Sequence, residues 1–359
     1  MSTLKVVHLL GGLYPSGMER MLASAVGEFA DQDIRGVIIG QGPAHPFHSA
    51  LIDAGYLVHI IPHIRSLSGQ MKLRRILRSE RPDVIHIHTE SAFLPAVLCA
   101  RLAITAPIVR TIHSVFRPKG RALISRRVQS YLADKLVACF VSPSPDVAHN
   151  EAEWGRHSQL IYNWVSSEYI AAGLNESSPS RDSRVAVLVG NCAQVKNHEM
   201  ALRHLLDMGY CVAHHGDESH ASAEEVDMLD ELAVAGRLLY RGSGAPIASL
   251  LRSGVFVLPS LHEGMSVALA EAISMRTPCL VADSTGLAWA KGLDGVQHIP
   301  LENQDDWAAA LPKTGYVPVT GLEAAPDLSA KRGAADYAHL YRTLAGSSRT
   351  NCKTEMGNS

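Results

Sequence analysis

Short β-branched runs alternate with helix-length amphipathic segments throughout this chain, and this rhythm restricts the fold more than any other feature. Parallel strands need a crossover of a dozen or more residues, usually a helix, so the alternation predicts a parallel sheet with helices on its faces. In the first half we predict strands at 6–10, 36–39, 57–61, 84–88, 108–112 and 136–141.

The same rhythm returns in the second half after a polar stretch at 175–183, with predicted strands at 185–189, 211–214, 238–240, 255–258, 278–281 and 296–299. A chain of 359 residues also exceeds what one hydrophobic core usually supports. We therefore predict two Rossmann-like, doubly wound α/β domains in tandem. Their expected bounds are 1–165 and 185–330, with a linker at 166–184, a helix near 334–345 and a disordered tail at 346–359.

Composition excludes several other classes of protein. Hydrophobic residues make up 47% and charged residues 19% of the chain, as in an ordinary globular protein. The apolar runs are too short to span a bilayer, and the first one is too short and too early for a secretory signal, so we expect a cytoplasmic location.

The six cysteines form no C-x-x-C pair and are expected to be reduced. The 18 histidines form no zinc-binding motif, so no metal site is expected.

Charge is divided unevenly along the chain. Residues 1–165 carry 18 Lys and Arg against 12 Asp and Glu, a net +6, and the remainder carries 15 against 23, a net −8. A basic first half suits an anionic or lipid-linked acceptor and peripheral contact with a membrane, although a solvated surface is the commoner cause of such an excess. The basic side chains cluster at Arg117, Lys119, Arg121, Arg126 and Arg127. No nucleic-acid partner is expected.

The loop after the predicted strand 255–258 holds two carboxylates, Glu263 and Glu271. Open α/β sheets bind ligands beyond the carboxyl ends of their strands. If most of the interval is helical, the two glutamates lie on the order of 12 Å apart, about the span of a nucleotide sugar from hexose to ribose. Backbone N–H groups at 264–266 would then meet a diphosphate at a helix start. Without further context, two glutamates at this spacing usually indicate only an acidic loop followed by a solvated glutamate on an amphipathic helix.

Two further loops follow predicted strands. Gly190, Asn191 and Lys196 lie between the strand at 185–189 and a helix, where a lysine suits a diphosphate leaving group. Gly12 and Gly17 lie between the first strand and the first helix, where glycine lets backbone approach a phosphate. The second loop is not G-x-G-x-x-G, so a dinucleotide site is a poor interpretation.

The segment V-F-V-L-P-S-L-H-E-G-M-S-V-A-L-A-E-A-I-S-M-R-T-P-C-L-V-A-D at 255–283 resembles the donor signature of family 4 retaining glycosyltransferases with the GT-B fold. The stretch 190–198 is similar to the family's G-R-x4-K-x-H, with Asn191 replacing the arginine. Residues 16–20 are similar to its G-G-x-E-R, with Ser16 replacing the first glycine. The resemblance implies donor-binding roles for Gly12, Gly17, Gly190, Asn191, Lys196, Glu263, Gly264, Met265, Ser266 and Glu271.

Weaker matches at 81–89, 110–114 and 159–163 extend the resemblance over nearly the whole chain. They place His113 at a strand end, and the resemblance implies a role for it by the donor sugar and the reacting carbon, together with Lys196 and Glu263. We expect His86 and His88 to face opposite sides of their strand and to be structural.

The resemblance implies a metal-independent hexosyltransferase in which two domains face a cleft. The donor would be a nucleoside-diphosphate sugar, with UDP favoured, the acceptor a hydroxyl group, and the anomeric configuration would be retained without another cofactor. Glycan, cell-envelope or glycoside biosynthesis are the expected settings. A nucleotide-sugar 2-epimerase-like enzyme and an inactive nucleotide-sugar-binding protein remain the alternatives.

Overall fold

A computed structural model of the chain describes residues 3–90, 92–115, 120–175, 180–311 and 317–346. The chain divides into two compact units. Unit 1 comprises Met1–Asn163 and Ala330–Ser359, and unit 2 comprises Trp164–Ser329.

Unit 1 contains a seven-stranded, all-parallel sheet in the order β3-β2-β1-β4-β5-β6-β7. Several central strands are buried along their whole length, as expected when helices cover both faces of a parallel sheet. The strands are β1 Leu4–Leu9, β2 Ile34–Gln41, β3 Leu57–Ile61, β4 Val84–Ile87, β5 Ile108–Thr111, β6 Cys139–Ser142 and β7 Gln159–Leu160. The first seven helices are α1 Gly17–Ser24, α2 Val26–Asp31, α3 His48–Ala54, α4 Leu67–Glu80, α5 Phe93–Ala103, α6 Arg121–Leu136 and α7 Pro145–Glu153.

Unit 2 contains a six-stranded parallel sheet in the order β10-β9-β8-β11-β12-β13. Its strands are β8 Asp182–Val189, β9 Cys211–His215, β10 Leu238–Gly242, β11 Ser253–Leu258, β12 Cys279–Ala282 and β13 Val296–Ile299. Its helices are α8 Ser167–Leu174, α9 His198–Asp207, α10 Ala223–Val234, α11 Ile247–Arg252, α12 Val267–Ser274 and α13 Gln304–Ala310.

The linker predicted at 166–184 is wrong. Most of that segment forms α8 and the start of β8, and α8 packs so closely on α12 that a Cβ at Gly173 would lie 2.0 Å from the Ser274 carbonyl oxygen. Arg181 donates hydrogen bonds to the carbonyls of Ser253 and Met275 at 3.1 and 2.8 Å. Arg181, one of the polar residues that suggest a free linker, therefore attaches this segment to unit 2.

The last helix, α14, spans Ala330–Gly346 and belongs to unit 1. Its apolar face is buried, and Arg342 donates a hydrogen bond to the backbone carbonyl of Gln32 just beyond α2. The hydroxyls of Tyr337 and Tyr341 reach the side chains of Thr111 and His86 in the sheet. Unit 1 is thus built from both ends of the chain. The tail predicted beyond residue 346 lies outside the described residues.

Candidate active site

Each sheet has one topological switch point, where the strand order reverses. In unit 2 it lies between β8 and β11, and in unit 1 between β1 and β4. Ligands of open α/β sheets bind at this place, beyond the carboxyl ends of the strands. The loop after β8 carries Lys196 and the loop after β11 carries Glu263, so unit 2 presents both predicted residues at its switch point.

The loop after β8 is shaped by close backbone contacts. Gly190 has a φ of 149°, and its N–H donates to the His215 carbonyl at 2.8 Å. Gly216 approaches so closely that a Cβ there would lie 1.9 Å from the Gly190 oxygen. The side chain of Lys196 lies over Gly190, since a Cβ at Gly190 would be 3.3 Å from Lys196 Cε. Gly216 therefore allows the two loops to touch, and Gly190 allows the backbone to lie under a cationic side chain.

Lys196 and Glu263 form an ion pair that joins the two loops. Lys196 Nζ lies 2.7 Å from Glu263 Oε1, and the side chains are 23% and 13% exposed. Two more bonds hold the loops together: Leu261 N–H donates to the Val195 carbonyl at 2.8 Å, and Asn197 Nδ2 donates to the Pro259 carbonyl at 3.2 Å. The charged pair is thus placed by backbone contacts and remains accessible to solvent.

The loop after β11 ends in a capped helix. Glu263 N–H donates to the Thr285 carbonyl at 2.9 Å. Gly286, where φ is 81°, lies so close that a Cβ there would be 2.2 Å from the backbone carbonyl oxygen of Glu263. Ser266 is the N-cap of α12, and its hydroxyl accepts from Leu269 N–H at 3.2 Å. Gly264 and Met265 are buried beside this cap.

Glu271 lies in the middle of α12 and is 5% exposed. The helix covers less of the interval from Glu263 than the predicted separation assumes, because α12 begins only at Val267. The helical part of the interval, 267–271, rises about 6 Å, and the rest is loop. The carboxylate is therefore a buried group of the helix and not a solvated one.

Asn191 has a structural contact that its sequence position did not indicate. Its Oδ1 accepts from the Asp217 N–H at 3.0 Å, and the neighbouring Cys192 N–H donates to the Asp217 carbonyl at 2.8 Å. The side chain fixes the loop after β8 to the loop after β9. Arg241, another cation of unit 2, is held by Glu218 at 2.6 Å and by Asp230, and these two carboxylates raise its pKa.

Three predicted residues, Gly12, Gly17 and His113, belong to unit 1. Gly12 lies against Tyr14, where a Cβ would be 2.4 Å from the ring, and Gly17 is the first residue of α1. The preceding Ser16 is the N-cap of α1 and donates its hydroxyl to Glu19. Glu19 is 2% exposed, and burial raises its pKa to about 7 against the opposing effect of these hydrogen bonds.

His113 follows β5 and ends a chain of imidazoles. His8 Nδ1 lies 3.1 Å from His88 Nε2, and His88 Nδ1 lies 3.1 Å from His113 Nε2. Burial, followed by the charge of Arg110, lowers the pKa of His113 to about 4, and burial lowers the pKa of His8 to about 3. A neutral imidazole has one donor nitrogen and one acceptor nitrogen. The two hydrogen bonds in this series of rings therefore run in the same direction, with each ring donating to the next.

The expectation that His86 and His88 face opposite sides of the strand is wrong. Residues two apart in a strand share a face, and the two ring centroids lie 3.9 Å apart. His86 is held by the Tyr341 hydroxyl at 2.7 Å and by Thr111 Oγ1 at 2.8 Å, and burial lowers its pKa well below 6.5. His86 is therefore a fully hydrogen-bonded residue of the core.

A second polar cluster, in unit 2, has no counterpart among the sequence predictions. The side chains of Cys192, His198, His214 and Glu225 are all buried, and one ligand-type atom from each lies within 4.8 Å of the others. Burial lowers the pKa of His214 to about 4, and burial together with Glu225 raises the pKa of the Cys192 thiol. The four residues come from four different elements, so no spacing in the sequence connects them.

Other sequence predictions are tested only in part. In the basic cluster, Arg117 and Lys119 lie outside the described residues, as do the side chains of Arg121 and Arg126, whereas Arg127 is exposed on α6. None of the helices within the described ranges is long and apolar enough to cross a membrane. The five cysteines in those ranges are free thiols.

The two doubly wound units, each with one switch point in its parallel sheet, have the architecture of the GT-B fold. Residues 15–169 match the family model described as Glycosyltransferase Family 4, and residues 182–314 match the model of Glycosyl transferases group 1. Together these matches span most of the chain, which belongs to the family 4, group 1 glycosyltransferases.

Relatives and solved structures agree with this assignment. A UDP-Gal:alpha-D-GlcNAc-diphosphoundecaprenol alpha-1,3-galactosyltransferase of Escherichia coli is 24% identical over 79% of this chain and 81% of its own length. The glycosyltransferase EpsF of Bacillus subtilis (strain 168) is also 24% identical, over 86% of each chain. The fold is similar to a glycosyltransferase from Rickettsia africae ESF-5, with a TM-score of 0.75, 13% identity and coverage of 97% and 100%. It is also similar to Anabaena Alr3699/HepE in complex with UDP-glucose, with a TM-score of 0.70, 15% identity and coverage of 95% and 97%.

Proposed function

We propose that this glycosyltransferase moves a hexose from a UDP-sugar to a hydroxyl acceptor with retention of the anomeric configuration. The Lys196–Glu263 pair at the switch point of unit 2 is the observation that carries the proposal. The ammonium of Lys196 can bind a diphosphate, and the carboxylate of Glu263 can bind sugar hydroxyls. The two groups lie at hydrogen-bond distance from each other.

The donor would rearrange this pair. A diphosphate competes with Glu263 for the ammonium of Lys196, and the carboxylate so released can accept hydrogen bonds from the sugar. The N-terminus of α12, next to Glu263, adds a partial positive charge that favours an anion. Lys196 and this helix would then stabilise the negative charge that develops on the leaving diphosphate, which in turn takes the proton of the attacking hydroxyl.

We assign the ribose of the donor to Glu271. A carboxylate accepts hydrogen bonds from both hydroxyls of a ribose, and its contacts change little as the bond to the sugar breaks. Replacing Glu271 should therefore raise the donor KM and leave kcat nearly unchanged.

The choice of uridine and of the acceptor rests on charge and on the relatives. The Escherichia coli relative is named for a UDP-galactose donor and a diphosphoundecaprenol-linked acceptor, and the Anabaena structure is a complex with UDP-glucose. Residues 1–165 of this chain carry a net charge of +6. We propose an anionic, lipid-linked acceptor that is reached by peripheral contact with the cytoplasmic face of a membrane, as in the assembly of cell-envelope glycans.

A panel of UDP- and GDP-sugars tests the donor assignment. A donor at 100 times its Kd adds about 2.7 kcal/mol of stability, so we expect Tm to rise by about 5–10 °C for the correct one. With a phosphate-bearing lipid acceptor, NMR should show a product with the donor's anomeric configuration. Release of an epimerised sugar without acceptor would identify a 2-epimerase, and binding without any turnover would identify a binding protein.

We also propose that the transfer needs no divalent cation at the diphosphate, because Lys196 and α12 supply positive charge there. After brief EDTA treatment, kcat should change less than twofold on addition of Mg²⁺ or Mn²⁺. These ions bind oxygen ligands such as phosphates. A strict requirement for either of them would contradict this mechanism.

A further inference from the structure

The Cys192 cluster, made of Cys192, His198, His214 and Glu225, is a compact group of metal-binding side chains in unit 2. Cys192 follows β8, and His198 is the first residue of α9. His214 lies in β9 and Glu225 in the first turn of α10. All four side chains are buried, although Cys192 itself lies in the loop after β8 and only the other three residues lie in a helix or a strand.

Two distances within the cluster are close to those between the ligands of a tetrahedral ion. Cys192 Sγ lies 3.5 Å from His214 Nε2, and His198 Nδ1 lies 3.0 Å from Glu225 Oε1. Zinc bonds of about 2.0–2.3 Å place neighbouring ligand atoms of a tetrahedron about 3.3–3.8 Å apart. The first distance already lies in this range, and the second needs to increase by a few tenths of an ångström.

The donor set and its charge favour zinc over magnesium or calcium. One thiolate, two imidazoles and one carboxylate are ligands of tetrahedral Zn²⁺, whereas Mg²⁺ and Ca²⁺ take oxygen ligands. Zn²⁺ would displace the thiol proton of Cys192 and release it to solvent. The divalent ion, the thiolate and the Glu225 carboxylate then sum to zero charge, which suits a buried site.

We propose that the Cys192 cluster binds one Zn²⁺ per chain as a structural site. The four ligands fill a tetrahedron, so no position remains for a substrate. Cys192 and His198 lie on either side of Lys196 in the sequence. Cys192 is in the loop after β8, and His198 is the first residue of α9, two residues after Lys196. The ion would therefore fasten the loop that carries Lys196 to β9 and α10. The proposal goes beyond the glycosyl transfer and does not depend on it.

The second ring nitrogen of each histidine, which does not face the ion, affects how tightly the ion is bound. Within the described ranges, His198 Nε2 and His214 Nδ1 are buried and have no hydrogen-bond partner. Metal-binding histidines usually donate the second N–H to a neighbour, and losing that contact costs about 10–100-fold in metal affinity. We therefore expect a strong chelator to remove the ion from the folded protein.

The test measures metal directly on the full-length chain. Elemental analysis of protein purified with added zinc should give one zinc per chain. Removing zinc with a chelator should lower Tm by about 5 °C or more, and one equivalent of Zn²⁺, but not Mg²⁺, should restore it. Cobalt exchanged into the wild-type chain should give the charge-transfer band of a cobalt–thiolate bond and the intense visible bands of a tetrahedral site.

Two serine substitutions separate this site from accidental binding. Cys192→Ser should lose the zinc and the cobalt–thiolate band. The matched control, Cys211→Ser, changes a free cysteine of β9 outside the cluster and should keep both. Zinc retained equally by the two variants, or a wild-type chain that takes up neither ion, would overturn the proposal. The wild-type cobalt spectrum decides the question even if Cys192→Ser does not fold.

Discussion

The two units share one sheet topology around their switch points but place different polar groups there. In unit 1, the residues near β1, β4 and β5 are neutral rings joined in series, from His8 through His88 to His113. In unit 2, the loops after β8 and β11 hold opposite charges, Lys196 and Glu263, in an accessible pair. The same fold thus supports a buried neutral network in one unit and an ionic site in the other.

The difference follows from solvation. Buried imidazoles remain uncharged because a charged ring would lose its hydration, and the hydrogen bonds of His88 to His8 and His113 satisfy both of its ring nitrogens. The Lys196 and Glu263 side chains are partly exposed to solvent, so each can exchange its partner for a ligand. We therefore expect the histidines of unit 1 to affect mainly stability and the Lys196–Glu263 pair of unit 2 to affect mainly turnover.

Acidification should produce the largest effect. The pKa values of four histidines of unit 1 are lowered by burial: His8, His86, His88 and His113. Below about pH 6.5 the unfolded chain binds protons that the folded unit does not, so stability falls as pH drops from 6.5 towards 4. Each group contributes up to about 1.4 kcal/mol per pH unit.

Hydrogen-exchange mass spectrometry at pH 7.5 and 5.0, corrected for intrinsic rates, measures this effect. Peptides of β1, β4 and β5 should lose protection before those of β8 and β11. As a control, His149→Ala removes an exposed histidine of α7 and should leave the pH dependence unchanged. Equal loss of protection in both units at pH 5.0 would contradict the comparison.

Lys196→Ala should lower kcat by about 10²–10³, equivalent to about 3–4 kcal/mol, because a preorganised charge is lost at the leaving group. Steady-state kinetics with saturating donor measures it. Lys291 offers a matched control, since its Nζ lies 2.7 Å from Asp283 in an exposed ion pair of the same unit. Lys291→Ala should keep wild-type kcat. If Lys196→Ala kept more than about a third of the wild-type kcat, Lys196 would not be the partner of the diphosphate.

Glu19→Gln should stabilise the protein at pH 8 by about 2–3 kcal/mol and change little at pH 5. Burial raises the pKa of Glu19 from 4.5 to about 7 in the folded state, so the wild type loses stability as pH rises from about 4.5 to 7. Urea unfolding at both pH values measures the difference. Glu153→Gln, at an exposed carboxylate of α7, is the control and should show no such pH dependence. A Glu19→Gln variant less stable than wild type at pH 8 would show that the ionised carboxylate is tolerated.

Tyr341→Phe should have the smallest effect, a loss of about 1–2 kcal/mol, because it leaves the buried His86 Nδ1 without its 2.7 Å hydrogen bond. Equilibrium unfolding in urea measures it. Tyr131→Phe, on the exposed face of α6, should cost close to nothing. A change in kcat without a change in stability would place the histidine network in catalysis and weaken the contrast between the units.

The alternation of strands and helices was sufficient to predict the two parallel sheets, because burial on both faces leaves β-branched runs that are easy to recognise. The boundaries were harder. The run at 136–141 was assigned to one strand, yet Leu136 ends α6 and β6 begins at Cys139. Apolar residues of a helix end and of the next strand form one continuous run in the sequence, so periodicity does not separate them.

The loop positions of Lys196 and Glu263 were predictable from the sequence, whereas their roles in the site stay a prediction. Glu263 and Lys196 each follow a strand directly, and the sheet order brings the two loops together. The Cys192 cluster was not predictable, because strand pairing and helix packing assemble it from residues 192, 198, 214 and 225. The contact of Asn191 with the loop after β9 was missed for the same reason.

The return of α14 to unit 1 sets an order for synthesis on the ribosome. The hydroxyls of Tyr337 and Tyr341 complete the polar network around Thr111 and His86, but they are made only after all of unit 2. At about 5–20 residues per second, unit 2 takes on the order of 10–30 s to emerge. Throughout that time His86 and Thr111 of the nascent unit 1 lack these two hydroxyl partners, so the polar network of unit 1 is completed by a helix that is translated after unit 2.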